Sequence, residues 1–367
     1  MDVDRYHRQK LLPFIGAGGQ AALGASHALL VGCGALGTVI ADALVRAGIG
    51  RLTIVDRDIV EATNLQRQVL FDERDAREGM PKAEAARRRL ASINSGVAVE
   101  AFVDDFNHRT AGRFIDDIDL VIDGLDNFET RYLLNDLAVL HHLPYVYGGA
   151  VGTTGMAMTI LPHGRHATGS GRRIEWSDDE ATPCLRCVFP AAPPPGSTPT
   201  CDTAGVLGPV VWSVAAHQAT EALKLLTNNV AAIDRSLWSL DAWGNRTSAF
   251  GVSDGRREDC PCCGLGDFEH AAGTEARAAT SLCGRDAVQI GADGSRGPVD
   301  LAALADRLAT HGTFQHTAHL LRGEFGRERS SNGEPIRLML FPDGRAIIGG
   351  TTEPEAARSI YARYVGT

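Results

Sequence analysis

Positive charge is the minority charge in this sequence. Its 367 residues include 36 Lys and Arg against 45 Asp and Glu, a formal net charge of −9. That balance argues against nucleic acid or an anionic membrane surface as a main partner. No apolar run approaches the ~20 residues that a bilayer-spanning helix requires. The first residues, MDVDRYHRQK, have no apolar signal core behind their charges, so a soluble cytoplasmic protein is expected. There is no internal repeat and no heptad pattern. What remains is a globular chain, 44% hydrophobic, with ample material for a core and length for about two domains.

The first half alternates between two periods. HALLVGC is an apolar run; ALGTVIADALVRAGIG has helical spacing and ends in Gly48 and Gly50; RLTIVDRD is a second run, closing on Asp56. Together they predict one βαβ unit. A basic helix over KAEAARRRLASIN, a strand over VAVEAFVDD, a buried strand over DLVIDGLDN and further strands over PYVYGGAVGTTGMAMTIL follow. Alternation of this kind predicts an α/β fold, a Rossmann-like doubly wound sheet with mostly parallel strands. PAAPPPGSTPT, residues 190–200, is punctuated by proline and glycine and reads as a surface crossover loop, followed by a helix over PVVWSVAAHQATEALKLLT. The expected domain plan is a core over 1–265, a polar linker over 266–280 and a small α+β module over 281–367. In that module a strand near AVQI, the helix LAALADRLAT, the hairpin IRLMLFPDGRAIIGG and a last helix give a β-α-β-β-α order. The polar stretch 164–173, GRHATGSGRR, is longer than strand connections usually are.

Gly32, Gly34 and Gly37, in LVGCGALG, allow a tight turn and a close approach of phosphate to a helix N-terminus. Asp56 lies where a ribose hydroxyl would be bound. This loop alone suits a nicotinamide dinucleotide as well as ATP. Three further features favour ATP: Arg67 in NLQRQ, Lys82 at a helix start in GMPKAEAA, and Asp126 with Asn127 at a strand end in DGLDN. A dehydrogenase has no need of two extra cations and a carboxylate around its bridging phosphates. An enzyme that breaks the α–β bond of ATP does, because negative charge builds on the phosphorus oxygens and on departing pyrophosphate. Asp126 is suited to hold the Mg²⁺ that offsets the same charge.

Eight cysteines are present, four of them in two Cys-x-x-Cys pairs: Cys184 with Cys187, and Cys260 with Cys263. Such pairs can bring four thiolates to one tetrahedral Zn²⁺, and four sulfur ligands make the site structural, with no position left for water. Cys262, inside the second pair, stands as a rival ligand. Cys33 reads as a small packing residue in the glycine loop. Cys201 stands alone in TCDTAGVLGP, where it is either a nucleophile towards an acyl adenylate or a loop cysteine with no covalent role.

In order along the chain, RYHRQ, VGCGALG, VDRDIVEATNLQRQ, GMPKAEAA, DGLDNFETR, PCLRC, CDTAGVLGP and CPCCG resemble the motifs of the ThiF/MoeB/HesA adenylyltransferases, bacterial relatives of ubiquitin-activating enzymes. The resemblance runs from about Arg5 to Gly264. It implies that Gly32, Gly34, Gly37 and Asp56 hold the nucleotide, with Asp58 near the ribose and Gln68 in the same site. Asn64, Arg67 and Lys82 would contact the phosphates, Asp126 would bind Mg²⁺, and Asn127 would sit beside it. Arg8 matches an arginine that reaches into a partner subunit's site, so a homodimer is implied. The implied substrate is a small ubiquitin-like sulfur carrier ending in Gly-Gly, adenylated before thiocarboxylate formation for thiamine, molybdopterin or a related route. A sulfurtransferase is an implied partner, and Cys201 matches a cysteine that takes part in sulfur transfer in some members. Three alternatives stand beside this: a relative activating a ubiquitin-like modifier through a thioester on Cys201, a nicotinamide oxidoreductase, and a nonenzymatic module that binds ATP without pyrophosphate exchange. A rhodanese-type tail is not expected, because SLCGRDAVQI lies too close to the start of the module and the tail is too short.

Overall fold

The computed structural model describes residues 4–164, 174–191, 204–273, 279–282, 287–291, 298–330 and 333–366. They fall into two compact units, one up to residue 273 and one from residue 279 onward. Among the described residues no helix is long and apolar enough to cross a membrane.

The first unit is built on an eight-stranded sheet. Its strands are β1 (His27–Val31), β2 (Arg51–Val55), β3 (Ala98–Phe102), β4 (Leu120–Asp123), β5 (Tyr145–Val151), β6 (Thr154–Ile160), β7 (Ser236–Asp241) and β8 (Arg246–Gly251). Their spatial order is β3-β2-β1-β4-β5-β6-β7-β8. The five strands from β3 to β5 are parallel, and β6, β7 and β8 add antiparallel pairs. The order therefore reverses between β1 and β4. In open α/β sheets that is where the connecting loops part and leave a crevice at the carboxyl ends of the strands.

Both faces of the sheet are covered, so its central strands are apolar on both sides. In β1, Ala28 and Leu30 enter one core, shared with α1 (Ala35–Ala47), α2 (Lys82–Ile93) and α4 (Gly208–Leu226). Leu29 and Val31 enter the other, shared with α3 (Phe128–Leu140). Helix boundaries follow local chemistry. Gly48 caps α1 in the left-handed conformation at φ +88°, the Asn127 side chain caps α3 by accepting the Thr130 N–H, and proline opens α4.

The start of α2 carries a charge triplet: Glu84 accepts from both Arg87 and Arg88 at 2.8 Å. The hydrogen bond from Arg87, more than any other influence, pulls the Glu84 carboxyl from its ordinary 4.5 down to about 2. A depressed native pKa supplies stability that is present above the unfolded value and lost as pH falls through the native one. Glu84→Gln should therefore shrink the difference in urea stability between pH 6 and pH 3. An unchanged difference would rule out this contribution.

The second unit is a six-stranded antiparallel sheet in the order β11-β12-β13-β14-β10-β9. Its strands are β9 (Ala279–Leu282), β10 (Ala287–Ile290), β11 (Gly312–His316), β12 (Leu321–Arg329), β13 (Pro335–Leu340) and β14 (Ala346–Gly349). Helices α5 (Leu301–Leu308) and α6 (Pro354–Tyr364) share a core with it that includes Phe325, Leu338, Ile348 and Ile360. The sequence predicts the strand near AVQI, both helices and the PDGR hairpin. It misses β9, β11 and β12. β11 and β12 hide because glycines and charges interrupt their alternation. The Phe314 ring lies over the space that side chains at Gly312 and Gly323 would fill, so one aromatic supplies packing for two glycines. The expected linker also behaves differently at its start. Glu269–Ala272 is a short helix whose first N–H groups, from His270 and Ala271, donate to Asp136, while Glu269 pairs with Arg186.

Candidate active site

The loops leaving β1 and β4 meet at the point where the strand order reverses. Gly32 adopts φ +89°, a conformation that costs glycine little. A Cβ there would approach the Gly124 carbonyl oxygen to 2.6 Å, while Cβ atoms on Gly37 or Gly124 would overlap the Gly32 carbonyl oxygen. Three glycines thus bring two loops and the N-terminus of α1 into backbone contact. The N-terminus of α1 follows directly from this turn, and a helix N-terminus suits a phosphate.

Asp56, at the end of β2, is buried. Its two carboxylate oxygens accept the Cys33 N–H at 2.6 Å and the Asp58 N–H at 2.7 Å. Burial pushes its carboxyl up, against the pull of Lys82 and those two N–H groups. Lys82, at the first turn of α2, is also buried and reaches Asp58 at 2.9 Å. Burial works against the ammonium, but Asp58 and Asp56 outweigh it, and the Lys82 pKa lies above the ordinary lysine value. The two carboxylates thus favour the ammonium form of Lys82.

Arg67 is partly exposed and donates to the Thr63 carbonyl at 2.9 Å. Asn64 is buried, with its side-chain oxygen taken by the Glu61 N–H at 3.0 Å. Gln68 is buried beside Gly34, and its Oε1 has no partner among the described residues. Asp126 is exposed at the end of β4. Its charge is felt at Lys82, Arg57 and Arg131, which places it among the cations. The glycine cradle, Asp56, Lys82 and Asp126 are thus brought together, and Arg8 lies exposed on the short helix His7–Lys10. Cys201 falls outside the described residues, as do most of the proline-rich crossover and residues 165–173.

The cysteine pairs converge. The Sγ atoms of Cys184, Cys187, Cys260 and Cys263 all lie within 4.8 Å of one another, with separations of 3.9, 3.6 and 3.4 Å for 184–187, 184–260 and 187–263. Sulfurs about 2.3 Å from a tetrahedral Zn²⁺ sit roughly 3.8 Å apart, so both donor set and spacing fit a metal ion. Cys262 is not part of this set; its Sγ accepts from Asn135 Nδ2 at 3.2 Å. The described ends of the crossover are tied down: Tyr132 Oη donates to the Phe189 carbonyl at 2.9 Å, and the Leu207 N–H donates to the Gly152 carbonyl at 2.9 Å.

Residues 6–262 match the ThiF family. The chain belongs to that family. It is 40% identical over 363 residues to the sulfur carrier protein ThiS adenylyltransferase of Bacillus subtilis (strain 168), covering 99% of both chains. It is 38% identical over 267 residues to the SAMP-activating enzyme E1 of Haloferax volcanii, covering 73% of this chain and 91% of that one. Among solved structures, E. coli MccB with ATP is similar with a TM-score of 0.55 over 72% of this chain and 75% of that one. At 21% identity, that likeness establishes the fold alone.

Reading the sequence of this ThiF-family chain misses the polar residues beneath the site. Asp123, Arg131, Tyr145 and Gln218 are buried and bonded to one another or to loop backbone. Asp123 and Arg131 stand in DGLDNFETR, and their signal is a carboxylate in a buried strand followed by an arginine on the helix behind it. Gln218 gives no such signal, since a glutamine within a helix looks like a surface residue.

Proposed function

We propose that the chain adenylates the C-terminal Gly-Gly carboxylate of a small ubiquitin-like sulfur-carrier protein. The observation that carries this reading is the buried Lys82 held by Asp58 beside Asp56 at the strand-order reversal, with the charge of exposed Asp126 acting on it; Arg67 is assigned to the same phosphates by the family resemblance. The full-length likeness to a protein named as a ThiS adenylyltransferase supports the choice of substrate.

In this reading Asp56 orients the ribose, the turn at Gly32 presents the N–H groups of the α1 N-terminus, from Gly34 to Gly37, to the phosphates, and Gln68 closes the site beside Gly34. The carrier's carboxylate oxygen attacks the α-phosphorus. An oxygen–phosphorus bond forms, the α–β bridge breaks, and pyrophosphate leaves with the bonding pair. Lys82 and Arg67 offset the charge that develops, and no side chain acts as a covalent nucleophile, so positioning and charge supply the catalysis. Asp126 would hold Mg²⁺, which when bound would supply positive charge to offset that of the phosphate oxygens. Asn64 fixes the turn that presents Arg67, and Asn127, the residue after Asp126, is held as the cap of α3. Arg8 acts across a homodimer, Zn²⁺ occupies the four-cysteine cluster, and residues 1–265 form the catalytic domain with 281–367 as an appended module. The terminal sulfur of a sulfurtransferase persulfide then displaces AMP to give an acyl disulfide, and a second thiol cleaves its S–S bond, releasing the thiocarboxylate and leaving a disulfide.

The test is ATP–pyrophosphate exchange with purified Gly-Gly carriers. Exchange should appear only with carrier present. Absence of exchange with every carrier, from dimeric protein that binds ATP, would sink the proposal. The likeness to an enzyme named SAMP-activating E1 favours a second reading, activation of a ubiquitin-like modifier; a thioester cleaved by added thiol and lost in Cys201→Ala distinguishes it.

A further inference from the structure

Asp126 is exposed, yet the residues on either side of it are fixed from below. Leu125 is held at both ends of its backbone: its N–H donates to Asp123 Oδ1 at 2.8 Å, and its carbonyl accepts from Arg131 Nη2 at 2.7 Å. Asn127 is fixed as the cap of α3 through Thr130 at 2.9 Å. The two groups that hold Leu125 also hold each other, since Arg131 Nε reaches Asp123 Oδ2 at 3.0 Å. Tyr145 donates to the same oxygen at 3.0 Å, and Arg131 Nη2 also reaches the Gly148 carbonyl at 2.9 Å. The guanidinium lies between the rings of Phe128 and Tyr147, 5.6 and 5.3 Å from their centroids. Asp123 is fully buried and the Arg131 side chain is 7% exposed.

A buried ion pair of this kind is a poor source of stability, because desolvating both charges consumes much of their attraction and an apolar pair often does as well. What it provides is geometry. A planar guanidinium with three fixed partners holds a carbonyl more rigidly than packing alone. We propose that Arg131, with Asp123 and Tyr145, is a positioning residue that sets the Asp126 carboxylate for its metal by gripping Leu125. This rests on the reading of Asp126 as the Mg²⁺ ligand.

The experiment compares wild type, Arg131→Lys and Asp126→Ala by calorimetric titration of ATP with and without Mg²⁺, and by exchange rate against Mg²⁺ concentration. Arg131→Lys keeps the cation but cannot bridge Asp123, Leu125 and Gly148 together. It should bind metal-free ATP like wild type and need about tenfold more Mg²⁺ for half-maximal effect. At saturating Mg²⁺ its exchange rate should return to the wild-type value. Asp126→Ala should show no Mg²⁺-dependent gain in ATP binding at all. A wild-type Mg²⁺ midpoint in Arg131→Lys, with the response lost in Asp126→Ala, overturns the positioning role and leaves the metal assignment standing. A normal response in Asp126→Ala overturns both. Should Arg131→Lys fail to fold, Tyr145→Phe removes a single hydrogen bond to Asp123 and should raise the midpoint about threefold; no rise would overturn the proposal.

Discussion

Replacing Asp126 with alanine should lower carrier-dependent ATP–pyrophosphate exchange by about a thousandfold, with no measurable change in the thermal midpoint. The two halves of that expectation have separate causes. Asp126 is exposed, and the hydrogen bond it accepts from Asn127 is a long one of 3.4 Å. Surface substitutions of this sort usually stay within about 0.5 kcal/mol of wild type. In the reaction, by contrast, removing one preorganised electrostatic group costs roughly two to three orders of magnitude, and losing the metal along with it takes the effect to the upper end. Lys82 and Arg67 remain, so metal-free ATP should still bind. A variant that exchanges at more than about a tenth of the wild-type rate would be incompatible with Asp126 as the metal ligand.

The second large effect concerns the four-cysteine cluster. Zn²⁺ bound by four thiolates stabilises small domains by about 10–16 kcal/mol. In this chain the cluster joins residues 184–187 to residues 260–263 rather than holding a whole domain together. Even a third of that energy would move the thermal midpoint by about 10 °C. Cys260→Ser should lose the metal, as read by elemental analysis, and fall in midpoint by that amount. Cys262→Ser should keep the metal, since the Cys262 sulfur accepts from Asn135 and is not among the four sulfurs that gather. Metal retained in Cys260→Ser, or lost in Cys262→Ser, would refute this ligand set.

The parts legible in the sequence are those with local signatures. The βαβ unit announces itself through a change of period from two to 3.6 around three glycines, and the paired cysteines through their spacing. The crossing of those glycines with Gly124 has no such signature, because it depends on β4 inserting beside β1 from some ninety residues away. The buried pair Asp123 and Arg131 escapes for a related reason. Each residue alone looks like an exposed charge, and only the fold shows that their charges meet. In the second unit, β11 and β12 escape because the apolar surface that would mark Gly312 and Gly323 is supplied by Phe314 from a neighbouring position. The spacing of the cysteines leaves Cys262 open between ligand and bystander. Its Asn135 partner, a hydrogen bond spanning 127 positions, decides between them and has no local trace.

The cysteine pairs also impose an order on the making of the protein. Cys184 and Cys187 leave the ribosome long before Cys260 and Cys263, with all of α4, β7 and β8 between them. Through that interval the first two thiols have no partners to complete a site. Capture of a metal ion, or protection of the two early thiols by a cellular reductant, thus becomes a checkpoint that a nascent chain passes once nearly three-quarters of it has been synthesised. Were a metal ion to fill the cluster, chains made without it would carry a finished glycine cradle and an open joint between residues 184–187 and 260–263.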